Sequence, residues 1–466
     1  MKLWRNVLVL AAGSLVLFAC ATKPDVYKDI DDNIGVEAYD NALGTIAASQ
    51  EGKKPVYPDK NLIMYYLDKG IIEYYAGKFS ESATDLDEAE RLIEEARTKS
   101  VTAEITSFIA NDNTKDYAGE DYEDLYTNVF SALNYYHNGD VEGAGVEIRQ
   151  MSEKFAVLEN KYTADNDKAR ESLGSNQSDL PPAKPVNVSD SALGRYLSAI
   201  IYRSVGQPDS ARIDIEAISG VYAKAPNVFT QPVPAWINEE LDVPAGQARL
   251  NVLAFAGLSP VKEEVIEMWP SIFRYATYLP SYLRSLEKTQ QAHGVIFEAA
   301  TAVGNTILLH LPSLVSRPSV IDRIEVDIDG TKTNLDLLED MGAVMTETFN
   351  ARYSSTRIKT IARTVIKGLA LETAAQIAAQ SGQPELVIKA AAMAGMVAFD
   401  KTESADIRSA RYFPGKAYAG GITLAPGTYN VTINYYSGGS VVYSAARENV
   451  QVAAGKLNLV EAVSLK

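Results

Sequence analysis

Three stretches of this chain repeat one pattern, and the pattern constrains everything between about residues 62 and 223. Gly77-Lys78-Phe79-Ser80-Glu81-Ser82 leads to Leu86 and Ala89. Gly139-Asp140-Val141-Glu142-Gly143-Ala144 leads to Ile148 and Met151, and Gly206-Gln207-Pro208-Asp209-Ser210-Ala211 leads to Ile215 and Ile218. In each, a glycine that tolerates left-handed backbone ends one helix. A small residue five positions on opens a close helix–helix contact. The apolar residues four and seven positions further fall on one face of the next helix. Gly70, Ala132 and Ala199 stand seven residues before each turn glycine and supply a second small contact per pair.

This grammar resembles the tetratricopeptide pattern of paired antiparallel helices; a plain helical bundle is the alternative. The turn glycines lie 62 and 67 residues apart, close to two repeats of about 34 residues each. Either a degenerate repeat lies between successive pairs, or long insertions separate them. Residues 163–190, polar and broken by Pro181-Pro182, read as a mobile loop, and Pro226 to Pro244 closes the helical part.

From Gln247 the period changes from helical to alternating. Strands are expected at Arg249–Ala256, Thr306–Leu311, Ile321–Ile328, Gly421–Leu424, Thr428–Tyr436, Ser440–Ala446, Glu448–Val452 and Lys456–Ser464. The clearest sets Tyr429, Val431, Ile433 and Tyr435 on one face, with turns at Ala425-Pro426-Gly427 and Gly438-Gly439. Leu424 to Val431 resembles the strand entry of small β-sandwich accessory domains in exported bacterial proteins. A helical insertion is expected at about 335–400. Its first part carries a basic stripe of Arg352, Lys359, Arg363 and Lys367, and its second part is rich in alanine. The fold class is therefore a multidomain α + β chain. It combines an N-terminal TPR-like α-helical repeat domain (61–226) with a C-terminal β-sandwich-like domain (227–466) that holds the insertion.

The first nineteen residues read as a processing signal. Lys2 and Arg5 precede an apolar run at 7–18 that is too short to span a bilayer, which takes roughly 20 apolar residues. The run ends in Leu17-Phe18-Ala19-Cys20, which resembles the lipobox of bacterial lipoproteins. Cys20 is the only cysteine, so no intrachain disulfide can form, and a thiol is what diacylglycerol attachment needs. The resemblance implies acyl chains on Cys20 as a membrane anchor, followed by a tether and first helix (20–60, the helix around Val36–Ala48). Ala21 in place of aspartate points to the outer membrane, facing the periplasm. Removing the signal takes the net charge from −16 to −18, which argues against nucleic acid as a partner.

A second resemblance rests on longer runs. Tyr117 to Glu123, Ala132-Leu133-Asn134-Tyr135, Gly139 to Ala144 and Val146-Glu147-Ile148-Arg149 resemble a family of uncharacterised TPR-repeat-containing lipoproteins of Gram-negative bacteria. Ala405-Asp406-Ile407-Arg408-Ser409 and Leu424 to Tyr429 resemble that family's C-terminal block. The resemblance implies an architecture and no mechanism.

The search for chemistry ends in binding. The three histidines, His137, His293 and His310, form no zinc-ligand run, and no nucleophile elbow, phosphate loop or dinucleotide fingerprint is present. No cofactor, no metal and no catalytic residue are expected. Two features invite a partner. Tyr117, Glu120, Asp121, Tyr122 and Tyr126 open a repeat helix, where the helix dipole favours acids and tyrosines can anchor a ligand. Arg352, Lys359 and Arg363 offer a basic face, for an acidic partner, for lipid head groups, or for docking onto the chain's own acidic helices. The leading expectation is a membrane-anchored envelope lipoprotein, not an enzyme, that acts as an adaptor for another envelope protein through its repeat groove. A small-ligand or lipid carrier, and an activator of cell-wall synthesis, are the alternatives.

Overall fold

The computed structural model describes residues 26–102, 115–171, 190–270, 306–353 and 403–466, with scattered positions between 356 and 391. Cys20 and its leader lie outside the described residues. The chain divides into two compact units, Met1–Val56 and Tyr57–Lys466.

In the first unit the single helix expected around Val36–Ala48 is two, α1 (Lys28–Gly35) and α2 (Tyr39–Gln50). Glu37 at φ 60° breaks them, and the Ala38 amide closes the turn on the Asn33 carbonyl at 2.9 Å. Ile30, Ile34, Ala42 and Ile46 are the buried positions of the pair.

The second unit opens with six helices: α3 (Leu62–Tyr75), α4 (Phe79–Thr102), α5 (Asp121–His137), α6 (Val141–Glu171), α7 (Ala192–Ser204) and α8 (Pro208–Lys224). They pair as α3 with α4, α5 with α6 and α7 with α8, and successive pairs meet through α4–α5 and α6–α7. All three turns are built alike. Gly77, Gly139 and Gly206 have φ of 74°, 84° and 75°. The next residue's amide reaches five residues back in each: Lys78 to Glu73, Asp140 to Tyr135, Gln207 to Tyr202, at 2.8–2.9 Å. That pattern satisfies the last helical carbonyls. The small residues lie at the contacts, and a Cβ on Gly70 would come within 2.8 Å of Leu86 Cδ2. The long spacing between turns is taken up by second helices of 24 and 31 residues and by the connections after them. Among the described residues no further helix pair intervenes.

The two helices of a pair differ in kind. Helices α3, α5 and α7 are buried around nearly their whole circumference, whereas α4, α6 and α8 keep an exposed face. The buried helices lie between the outer ones and a sheet.

That sheet has the strands β1 (Ala248–Pro270), β2 (Thr306–Arg317), β3 (Arg323–Ile328), β4 (Thr331–Glu339), β5 (Pro414–Leu424), β6 (Gly427–Ser437), β7 (Ser440–Val452) and β8 (Asn458–Ser464). Its order is β2-β1-β5-β4-β3-β6-β7, antiparallel throughout, with β8 added parallel to β1. One continuous curled sheet thus stands where two facing sheets were expected. Arg447 Nη2 donates to the Glu461 carbonyl and Lys466 Nζ to the Val442 carbonyl, which draws β7 round towards the β8 end. Leu250, Val252, Ala254, Ile324, Val326, Val431 and Ile433 fill the inside of the curl. The other face of β1 meets the helices: Phe255 packs on Phe130 with ring centroids 5.3 Å apart, and Asn251 donates to the Tyr196 hydroxyl at 2.8 Å. Residues 248–257 are therefore buried on both faces, as the unbroken apolar run Val252 to Ala256 requires. On β5 small residues make room for the approach, and a Cβ on Gly421 would meet Arg249 Nε at 2.9 Å. Beyond Gly257, at φ 65°, β1 makes its last pairing with β5 at Leu258 and then runs with β2 alone as a ribbon from Val261 to Pro270.

Three expectations are corrected. The helical insertion does not begin at Leu335, because β4 continues to Glu339; a helix, α9, occupies 341–353 instead. Its N-terminus is capped by Asp340, whose Oδ1 accepts from the Ala343 amide at 2.8 Å. Strand β5 begins at Pro414 rather than Gly421, and Ser440 to Val452 is one strand, not two. The rest of the insertion, with its alanine-rich part, lies largely outside the described residues.

The turns can be tested by contrast. Gly139→Ala is expected to lower stability by about 1–2 kcal/mol, the cost of a left-handed non-glycine residue. Gly145→Ala, where the new Cβ meets nothing closer than 3.4 Å, is expected to leave stability unchanged or raise it by up to ~1 kcal/mol. Urea midpoints of the two variants decide the matter.

Candidate functional site

The acidic start of α5 is where most of the sequence-selected residues meet. Glu123 reaches back to accept from the Glu120 amide at 2.9 Å, which fixes the first turn. The helix then carries Asp121, Glu123 and Asp124 within that turn, and all three are buried. Burying a carboxylate without a partner is costly, and the partners come from elements far away in sequence. Arg352 of α9 lies 2.8 Å from Glu120, which also pairs with Lys262 of β1. Asp121 takes Arg97 at 3.3 Å, Lys161 at 3.1 Å and the Tyr162 hydroxyl at 2.5 Å. Asp124 takes Arg97 at 2.5 Å and Lys154 at 2.7 Å, and Lys154 also holds Glu90. Burial alone would raise the Asp121 carboxyl, but Arg352, Lys161, the Tyr162 hydroxyl and Arg97 outweigh it and hold the group down to about 2.

The tyrosines are committed as well. Tyr122 is 2% exposed and Tyr126 is fully buried. The Tyr117 hydroxyl donates to both oxygens of Glu123 at 2.8 and 2.9 Å. Tyr126 donates at 2.6 Å to Glu339, at the end of β4. Glu339 also accepts from Ser191 Oγ at 2.8 Å and the Leu193 amide at 3.1 Å, so one buried carboxylate ties α5, the start of α7 and the sheet together. The open recognition surface expected at Tyr117, Glu120, Asp121, Tyr122 and Tyr126 is thus an interior contact. Of the basic stripe, Arg352 docks on the chain's own acids, and Lys359 and Arg363 lie outside the described residues.

A strap completes the site. Residues 403–413, which form neither helix nor strand up to β5, run beneath the buried helices. Arg408 donates to the Lys115 carbonyl at 2.8 Å, its guanidinium stands 5.2 Å from the Tyr117 ring centroid, and its own carbonyl accepts from Lys262 at 2.9 Å. The Ala410 amide donates to Glu123 and the Arg411 amide to Asp68 of α3, each at 2.6 Å. The Tyr412 carbonyl accepts from the Tyr75 hydroxyl at 2.8 Å. The segments Tyr117–Glu123 and Ala405–Ser409, nearly 300 residues apart in the sequence, therefore touch. Asp68, Lys262 and Glu339 escaped the reading of the sequence. The usable signal was Asp68 on an apolar helix face between Leu67 and Ile71.

The histidines stand apart. His137 Nε2 lies 3.1 Å from Glu461, and its ring stacks on Phe79. His310 faces Glu264 at 3.1 Å across the ribbon, and His293 lies outside the described residues. Among the described residues no group of three metal-ligating side chains is brought together, and no helix is long and apolar enough to cross a membrane. No family model, curated protein or solved structure matches the chain.

The lowered Asp121 carboxyl sets a signed expectation. Its stabilisation is present above its ordinary value near 3.8 and is lost as pH falls through about 2. Asp121→Asn is expected to cost about 2 kcal/mol at pH 7, and about half that near pH 3. Denaturant titrations of both proteins at the two pH values measure it.

Proposed function

We propose that this chain is a membrane-anchored envelope lipoprotein, lipidated at Cys20, that serves as a non-enzymatic scaffold for another envelope protein. The observation that carries the reading is the stack of three helix pairs joined by identical glycine turns. Such arrays extend a surface by repetition, and scaffolds use them for that reason. The stack is read here as tetratricopeptide-like, and the outer membrane facing the periplasm as its location. Because the α5 tyrosines are committed inside, the partner surface proposed is the exposed side of α4, α6 and α8. Val157 on α6 and Ile213 on α8 stand there 63% and 56% exposed. The alternative reading, a small-ligand or lipid carrier, places its cavity between the sheet and the alanine-rich insertion, most of which lies outside the described residues.

Photocrosslinkers placed at Val157 and Ile213 in live cells are expected to capture one dominant envelope protein. A crosslinker at Tyr122 is expected to yield no such adduct. Cys20→Ala is expected to move the protein out of the membrane fraction and to remove the adduct. The scaffold reading is lost if the outer positions capture nothing specific from a folded, membrane-bound protein.

A further inference from the structure

The strap is gripped in an unusual way. Two consecutive backbone amides, Ala410 and Arg411, each donate at 2.6 Å to a buried carboxylate, and the carboxylates belong to different helix pairs. Each carboxylate is backed by a tyrosine: Tyr57 donates to Asp68 at 2.8 Å, and Tyr117 to Glu123. Asp68 feels the guanidinium groups of Arg411 on the strap and Arg317 on β2. Glu123 feels Lys262 of β1 in its favour and Glu120 of its own helix against it, and Tyr117 and Tyr122 are the other titratable groups near it.

We infer that residues 403–413 form a proton-dependent clasp, held tightest while Asp68 and Glu123 are neutral and loosened as they ionise.

Two effects compete. A charged carboxylate accepts an amide hydrogen bond more strongly than a neutral one does. Against that, both carboxylates are held by amides and hydroxyls and have lost their hydration. Burial wins: it is the largest influence on both groups and raises each to about 7, with Glu120 adding to the rise at Glu123. Opening the strap returns both carboxyls to water, where they titrate near their ordinary values of 3.8 and 4.5. The closed clasp therefore holds extra protons between those values and about 7. Its grip is complete at low pH, declines across that window by at most tenfold per pH unit for each carboxyl, and levels off above.

Amide hydrogen exchange at Ala410 and Arg411, followed by NMR in the full chain and corrected for the intrinsic pH dependence, tests this. Protection is expected to fall at least tenfold from pH 5 to pH 7 and to flatten above it. Asp68→Asn with Glu123→Gln, the neutral isosteres, is expected to abolish the fall. Constant protection in the unmodified protein, or an equal fall in the double variant, overturns the clasp. If the double variant does not fold, the side-chain carboxyl carbon shifts of the unmodified protein decide: midpoints near 7 support the inference, and midpoints near 4 overturn it. The inference does not depend on the scaffold reading, and crosslinking results leave it unaffected.

Discussion

Helix α5 sits between the outer helices and the sheet with three acids of its first turn buried; cations answer Asp121, Asp124 and the neighbouring Glu120, while amides and the Tyr117 hydroxyl answer Glu123. Arg97 comes from the helix before it, Lys154 and Lys161 from the helix after it, and Lys262 and Arg352 from the sheet and the helix beyond. The size of the effect explains the priority. Stranding a buried carboxylate by removing its cations costs about 3–5 kcal/mol, whereas removing an acid such as Asp121 costs less, because its cations still reach water. An exposed pair such as Arg212 with Glu216 is worth about 0–1 kcal/mol. The interior pairs therefore set how the elements dock, and the surface pairs follow.

The same logic runs through the helix–sheet boundary. It is closed by tyrosines and their polar partners: Tyr126 donates to Glu339, Tyr74 donates to Glu461, and Tyr196 accepts from Asn251. A tyrosine ring buries apolar area while its hydroxyl satisfies a polar group that would otherwise be orphaned. The chain has 26 tyrosines against 12 phenylalanines, and those at this boundary are taken up by internal docking. On the proposed scaffold reading, that leaves the exposed helices, not the tyrosine-rich one, to meet a partner.

The strap joins two parts of the chain that lie nearly 300 residues apart. Tyr117 to Glu123 shapes one side of a contact and Ala405 to Ser409 the other, so the two runs constrain each other through Arg408 and Tyr117. The strap also explains how a stack of helix pairs and a curled sheet form one compact unit.

Local structure was legible in the sequence wherever the backbone itself demanded a residue. The turn glycines at 77, 139 and 206 announce positive φ, the small residues near them announce close helix contacts, and the alternation from Thr428 to Tyr436 announces a strand buried on one face. Each is a short-range constraint, readable within a few residues. Strand β4 was not legible, because Leu335, Leu337 and Leu338 suit a helix as well as a strand until β3 and β5 pair with them. The role of the acidic turn was not legible either. Acids at a helix N-terminus look the same whether water or Arg352 answers them, and residues more than 200 positions apart decide which. The sequence by itself determined the helix pairs, their turns and most of the strands; the tertiary structure alone decided which faces are inside, since burial is a property of the neighbours a residue meets.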